Sequence, residues 1–411
     1  MRSDEVRALG DFAGGAAAGL AAQVREVHEG IAERVFGTLG ASAAPVRLIH
    51  DRVAEGAYTG AKLVTGAIVR RSARALSVTR PADAPSIAAT RPGRLAVGAL
   101  NGIWGDMLHA DRSALETPMA IRVGGRDIDP DADSLRAAFP NATGRLAVFV
   151  HGLCETDDSW HLGSARHVPY GERMRFELGY TPVYVRYNSG LHISHNGRRL
   201  SEVLEALTAQ WPVQITEIAL IGHSMGGLIT RSACHYATAG SWREQVRHVF
   251  MLGSPHKGAP LELAANTACA AISSLPETRG FAKPLKVRSA GVKDLGYGYV
   301  VDEDWAGHDP DACRNNTGTV VPFLTSANHY FVSATLSREA DHPLGCMMGD
   351  LLVLRPSAWS QGHGERLQFP VDQYRHFGST NHFQLLNHPA VYEQIARWLA
   401  ARRQLPAPAG V

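Results

Sequence analysis

Apolar positions along this chain change texture near residue 94. Before it they step at helical spacing. Leu20, Val24, Val27, Ile31 and Val35 form one series, and Val46, Ile49, Val53, Ala57, Ala61, Val64 and Ile68 form a second. Each series draws one apolar stripe down a helix. Gly40, Ser42 and Pro45 punctuate between them, with proline near a helix start. Residues 1–80 therefore read as an Ala/Gly-rich helical hairpin whose small side chains let two helices pack closely. Arg80-Pro81 through Arg91-Pro92-Gly93 reads as a Pro-rich linker over 81–93.

From residue 94 to about 403, apolar β-type runs alternate with helical patterns. Met119–Val123 and Arg126–Ile128 flank Gly124-Gly125, a hairpin signal. Leu146–Val150, Pro182–Tyr187, Ile218–Ile221, Val249–Leu252 and Tyr330–Ala334 are continuous apolar runs, as in strands buried on both faces. Helical patterns such as Leu200–Trp211 and Leu228–Ala237 separate them. This alternation predicts an α/β fold, a mostly parallel central sheet with helices on both faces. Residues 258–325 break the alternation and contain no clear strand, so they read as a helical cap insertion.

Composition adds limits. With 411 residues and 45% hydrophobic content, the chain can bury a sizeable core. A net charge of +2 advertises no nucleic-acid surface. Five scattered cysteines without C-x-x-C pairs fit neither a disulfide framework nor a zinc site, and favour a reducing compartment. No apolar run reaches the length of a membrane span. Phe12–Ala22 resembles a weak signal segment, but Asp4, Glu5 and Asp11 stand where a cationic region belongs. The expectation is a cytoplasmic protein, with a secreted or envelope-associated pool as the alternative.

The chemistry centres on Gly222-His223-Ser224-Met225-Gly226. This G-x-S-x-G follows a strand ending at Ile221 and precedes a helix beginning near Gly227. A strand–turn–helix elbow lifts the Ser224 hydroxyl clear of the sheet, and the helix N-terminus behind it favours developing negative charge. Acyl transfer also needs backbone N–H donors for an oxyanion. His151-Gly152-Leu153, after the Leu146–Val150 strand, supplies one from Leu153, and Met225 supplies the other. A carboxylate to orient a histidine should follow a later strand. Asp350 is the first choice, with Asp341 and then Asp372 as rivals. The base should come last. His382 is that base, while His376 and His388 read as structural. Asp302-Glu303-Asp304 with His308 and Asp309 raises a calcium site, but the spacing fits no calcium loop.

Together His151-Gly152-Leu153, Gly222–Gly227, Leu252-Gly253-Ser254-Pro255-His256-Lys257-Gly258 and His382-Phe383-x-Leu385-Leu386-x-His388-Pro389 resemble bacterial lipases and esterases related to GPI inositol-deacylases, members of the α/β-hydrolase superfamily. The resemblance covers about residues 94–403. It implies ester hydrolysis through a Ser224–Asp350–His382 triad, an acyl-enzyme, a mobile cap and no cofactor or metal. Gly349-Asp350-Leu351-Leu352-Val353 departs from the family's G-D-G-L-V at Leu351. An apolar cap with Leu261, Leu263, Ile272, Leu275 and Phe281 suits an acyl chain. A polyester depolymerase, such as one acting on polyhydroxyalkanoate, uses the same chemistry. A catalytically silent binding module is the reading of another class. Residues 1–80 lie outside the resemblance. They are a docked appendage, an oligomerisation arm or a contact with a lipid surface, and the oligomeric state stays open.

Overall fold

The computed structural model of the protein describes residues 1–16, 25, 29, 44–81, 83–256, 258, 288–307, 318–335 and 373–401. The chain divides into two compact units. One comprises Met1–Gly93, Met107–Glu116 and Leu263–Arg288, and the other Arg94–Asp106, Thr117–Glu262 and Ser289–Val411. The first boundary falls at the end of the expected linker, whereas Met107–Glu116 groups with the N-terminal unit.

In the N-terminal unit, residues 3–16 are helical and helix α1 spans Ala44–Val78. The second apolar series lies inside α1. The first, Leu20 to Val35, falls outside the described residues. Small residues do bring helices together, between residues 3–16 and α1. A Cβ added at Gly10 would come within 2.0 Å of Ala73 Cβ, and one at Gly14 within 2.9 Å of the Gly66 carbonyl. Val64 and Ile68 nevertheless stay more than half exposed, at 58% and 59%, so helical spacing alone did not decide burial there. Buried Glu5 accepts hydrogen bonds from Ser86 Oγ and the Ile87 amide, which ties residues 3–16 to a short 3₁₀ turn at Ile87–Ala89. Helix α2 starts at Arg91 with a proline in its first turn, so Arg91-Pro92-Gly93 begin a helix rather than finish a linker. It runs to Ala110.

The larger unit is built on eight strands. β1 (Ala120–Val123) and β2 (Arg126–Ile128) form the expected hairpin, followed by helix α3 (Ala132–Ala138). β3 (Arg145–Val150), α4 (Tyr170–Leu178), β4 (Thr181–Arg186), α5 (Ile193–Gln210), β5 (Glu217–His223), α6 (Met225–Tyr236) and β6 (Val246–Leu252) alternate. Two short helices, α7 (Ala290–Tyr297) and α8 (Asp302–Trp305), precede β7 (Asn328–Ala334), β8 (Tyr374–Phe377) and α9 (Pro389–Ala400). The sheet order is β2-β1-β4-β3-β5-β6-β7-β8. β1 pairs antiparallel with β2 and β4, and every pair from β4 to β8 is parallel. This is the α/β-hydrolase arrangement. No strand stands between β6 and β7 among the described residues, and the apolar cap residues from Leu261 to Phe281 lie outside them.

Strand period explains the continuous apolar runs. Leu146, Val148 and Val150 of β3 enter one core, with Leu200, Leu204 and Leu207 of α5 and Leu228 and Ile229 of α6. Ala147 and Phe149 enter the other, with Tyr170 and Met174 of α4 and Val391, Tyr392 and Ile395 of α9. Both sheet faces are covered, so neither can be polar. Each fully buried large side chain contributes about 1.5–3 kcal/mol. Strand order reverses between β3 and β5, because β4 lies on the far side of β3. The carboxyl ends of two diverging strands leave a crevice at such a point.

Two buried histidines make this fold acid-sensitive. Burial pushes the His256 imidazole down to about 3 and His329 down to about 4, with the Arg231 guanidinium adding to both. In the unfolded chain each takes a proton near pH 6.5. Between those values the unfolded state binds more protons, so stability falls as the pH drops. We expect urea denaturation to show stability declining from about pH 6.5 toward pH 4. His329→Gln should flatten that slope by one proton's worth. A flat profile down to pH 4.5 would contradict it.

Candidate active site

The carboxyl ends of β3, β5 and β8 carry Leu153, Ser224 with Met225, and His382 in turn, while Asp350 lies outside the described residues. Ser224 stands between β5 and α6 with φ 52° and ψ −122°. A non-glycine side chain in that region is strained. Two backbone bonds hold it: the Ser224 amide donates to the Leu252 carbonyl at 2.8 Å, and the Gly227 amide to the Ser224 carbonyl at 3.1 Å. The glycines follow from crowding. A Cβ on Gly226 would lie 2.2 Å from the Val150 carbonyl oxygen, and one on Gly222 would lie 2.5 Å from the Gly227 nitrogen. Ser224 is 7% exposed, and Met225 opens α6 fully buried.

The loop after β3 packs directly on this turn. A Cβ on Gly152 would come within 3.0 Å of Ser224 Cβ. His151 fixes the loop at its root. Its ring stacks on Tyr187 with centroids 4.1 Å apart, and the Tyr187 hydroxyl donates to the His151 carbonyl at 2.6 Å. The Tyr187 amide approaches Nε2 at 3.3 Å and Nδ1 faces the Gly152 carbonyl at 2.9 Å. Burial lowers the His151 pKa, which favours the neutral ring with its proton on Nδ1. Leu153 follows, half-buried, and Cys154 takes a left-handed φ of 61°. Burial, with the Glu155 charge beside it, pushes the Cys154 thiol up to about 11, so it is no thiolate nucleophile.

His382 begins a short 3₁₀ turn, His382–Leu386, after β8 and is 1% exposed. Asn381 and Gln384 form a reciprocal cap that fixes its start. The imidazole lies over Gly253, where an added Cβ would meet Cε1 at 3.1 Å and Nδ1 at 3.2 Å. Gly253 directly follows Leu252, whose carbonyl holds the Ser224 amide. Asp350, Asp341 and Asp372 lie outside the described residues. His376 stands on β8 with ring nitrogens facing Ser333 and Thr335. His388 precedes α9, and its amide donates to the Tyr170 hydroxyl. In the acidic cluster, Asp304 accepts from the Val300, Val301 and Thr319 amides and Asp302 pairs with Arg198, while His308 and Asp309 lie outside the described residues.

Two residues to which the sequence assigns no role adjoin this site. Glu155 is 6% exposed and His223 is fully buried. Glu155 accepts the Gly152 amide at 2.7 Å and faces His223 Nδ1 at 2.9 and 3.1 Å through its two oxygens. His223 Nε2 faces the His382 carbonyl at 3.1 Å. Burial raises the Glu155 pKa, but the His223 imidazole and the Gly152 amide outweigh it and leave the carboxyl below its ordinary value.

Residues 141–306 match the family model of the PGAP1-like alpha/beta domain. The matched stretch contains Leu153, Glu155, His223, Ser224 and Met225, while Asp350 and His382 fall beyond the match. No sequence relative among curated proteins matches the chain. Solved structures to which the chain is similar include the mature lipase BlEst2 from Bacillus licheniformis, at 16% identity over 69% of this chain and 99% of that one, TM-score 0.41. Its propeptide form is 16% identical over 72% and 56%, TM-score 0.44. The esterase EaEST from Exiguobacterium antarcticum is 13% identical over 63% and 92%, TM-score 0.35.

Helix α2 lies outside the PGAP1-like match, yet its glycines press on the loops after β3 and β4. Added Cβ atoms would meet Thr156 Cγ2 at 2.5 Å from Gly98, Cys154 Sγ at 2.3 Å from Gly102 and Asn188 Oδ1 at 1.8 Å from Gly105. For Gly102 the loop backbone is also close, with Cys154 N at 2.8 Å. Backbone cannot swing aside as a side chain can. We expect Gly102→Ala to destabilise the protein by about 1–3 kcal/mol, read by urea denaturation. Wild-type stability in that variant would show that the loop yields freely.

Proposed function

We propose that the protein is a serine carboxylic-ester hydrolase, a lipase or esterase, with Ser224 as nucleophile, His382 as base and Asp350 as the acid that orients it. The observation that carries this reading is the left-handed Ser224 at the β5–α6 elbow, with the Gly152 loop packed on it and the His382 ring over Gly253, the residue after the Leu252 carbonyl that holds the Ser224 amide. His382 takes the Ser224 proton as the hydroxyl oxygen attacks the ester carbonyl. The Leu153 and Met225 amides receive the oxyanion, and the N-terminus of α6 adds its dipole. The tetrahedral adduct collapses, His382 returns the proton to the leaving alcohol, and an acyl-Ser224 ester remains. His382 then activates water, which releases the acid and restores the enzyme.

Asp350 enters this reading through the family resemblance and its place in the chain. It follows β7 in sequence, and next to the end of β7 the Thr335 carbonyl accepts the Thr380 amide at 2.9 Å, two residues before His382.

We expect hydrolysis of p-nitrophenyl esters, with Ser224→Ala lowering kcat by about 10⁴-fold or more at unchanged folding. The preferred chain length, from acetyl to palmitoyl, separates an esterase from a lipase. Folded wild-type protein inert on every ester would sink the reading and favour a binding role. Asp350→Asn should lower kcat by about 10⁴-fold while Asp341→Asn stays near wild type. The reverse pattern would move the acid to Asp341.

A further inference from the structure

We propose that Glu155 and His223 are positioning residues, a buried pair that joins the oxyanion-donor loop to the base-bearing loop underneath the nucleophile. This rests on the roles given above to Ser224, Leu153 and His382. The connection is continuous: Gly152 amide to Glu155 carboxylate at 2.7 Å, carboxylate to His223 Nδ1 at 2.9 Å, and His223 Nε2 to the His382 carbonyl at 3.1 Å. It links the loop after β3, the end of β5 and the turn after β8, and β8 stands three strands away from β5 in the sheet.

The hydrogen inventory shows why this is a linkage rather than filler. His223 has an acceptor at each ring nitrogen, a carboxylate on one side and a carbonyl on the other. With Glu155 ionised, both contacts are hydrogen bonds only if His223 carries two N–H groups, giving a buried imidazolium–carboxylate pair. A buried pair of this kind is weak evidence for stability, because desolvation offsets its attraction. Its geometry does something that apolar packing cannot. It sets the orientation of Gly152, whose Cβ position lies 3.0 Å from Ser224 Cβ and which precedes the Leu153 donor. It also sets the carbonyl of the residue that supplies the base. Helix α2 holds the other side of the pair, since an added Cβ on Gly98 would lie 3.0 Å from the Glu155 carbonyl oxygen. The ring edge of Trp160 closes on His223 at 6.3 Å between centroids.

Two variants of the full chain test this. Glu155→Gln can keep every bond with a neutral His223: the amide oxygen accepts from Gly152, and the amide NH₂ donates to Nδ1. The double variant Glu155→Leu with His223→Phe replaces the pair by apolar groups, so it can fold while losing the link. Active sites are counted with a fluorophosphonate and rates are read on p-nitrophenyl butyrate. Expected is a kcat per titrated site about 100-fold lower in the double variant, with KM within about threefold, the size of loss that small misplacement brings. Glu155→Gln should keep kcat within about threefold.

A purely structural pair predicts something else: a lower melting temperature and fewer titratable sites, but a wild-type kcat for each site that remains. That outcome, or a Glu155→Gln variant as slow as the double variant, overturns the proposal. Should the double variant fail to fold, ¹⁵N-histidine spectra decide. Wild type should show one ring with both nitrogens protonated at neutral pH, and Glu155→Gln should show that ring neutral. No such ring in wild type overturns the pair on its own. Absence of fluorophosphonate labelling at Ser224 in wild type would instead defeat the catalytic reading.

Discussion

The left-handed backbone at Ser224 is the constraint on which the rest of this molecule depends. A non-glycine residue in that conformation costs on the order of 1–3 kcal/mol and survives only where its surroundings leave no alternative. Here they come from both neighbouring strands. β6 supplies the Leu252 carbonyl that takes the Ser224 amide, and the end of β3 supplies carbonyls that leave no room for a side chain at Gly226. Ser224 must therefore sit on a central strand flanked on both sides. A central parallel strand needs helices on both faces, and those helices bring the two apolar cores that dominate the stability of the unit.

Crowding of that kind drives water out of the floor of the site, which sets the rules for its polar groups. A buried polar atom without a partner costs about 1–3 kcal/mol. His151 meets this requirement as a neutral ring locked to Tyr187, and Glu155 with His223 meets it as a charged pair. Neither arrangement is local in sequence. His151 and Tyr187 are held by adjacent β3 and β4, and Glu155 finds His223 because the β3 loop folds back under the elbow. Polar satisfaction and backbone strain thus belong to one construction: the same contacts that hold the strained serine position the groups around it.

Close backbone approach recurs wherever helices meet this chain's key segments. Gly98, Gly102 and Gly105 form a side-chain-free stripe on α2 against the loops after β3 and β4, and Gly10 and Gly14 do the same against α1 in the N-terminal unit. In both places glycine stabilises by what it lacks, at the cost of helix propensity. None of the described helices is long and apolar enough to cross a membrane.

Much of this was readable from local pattern. Two-faced burial turns each central strand into an apolar run, so β3, β4, β5, β6 and β7 were visible as such. The elbow was visible because its glycines answer a crowding that strand–turn–helix geometry always imposes. His376 and His388, read as structural, are engaged by Ser333, Thr335 and Tyr170. What sequence could not supply were partners distant along the chain. Glu155 looks like an ordinary loop carboxylate, and His223 like the variable position of a pentapeptide, until the loops after β3 and β8 meet at 2.9 and 3.1 Å on either side of one ring. Helical spacing foresaw α1 but not the exposure of Val64 and Ile68, since spacing records a helix's faces and not what covers them. The start of α2 looks like a linker in sequence because proline and glycine punctuate loops and first turns alike. Local chemistry determined the elements and the serine elbow of this protein; tertiary structure alone decided which buried charges meet, because hydrogen bonds are made between neighbours in space.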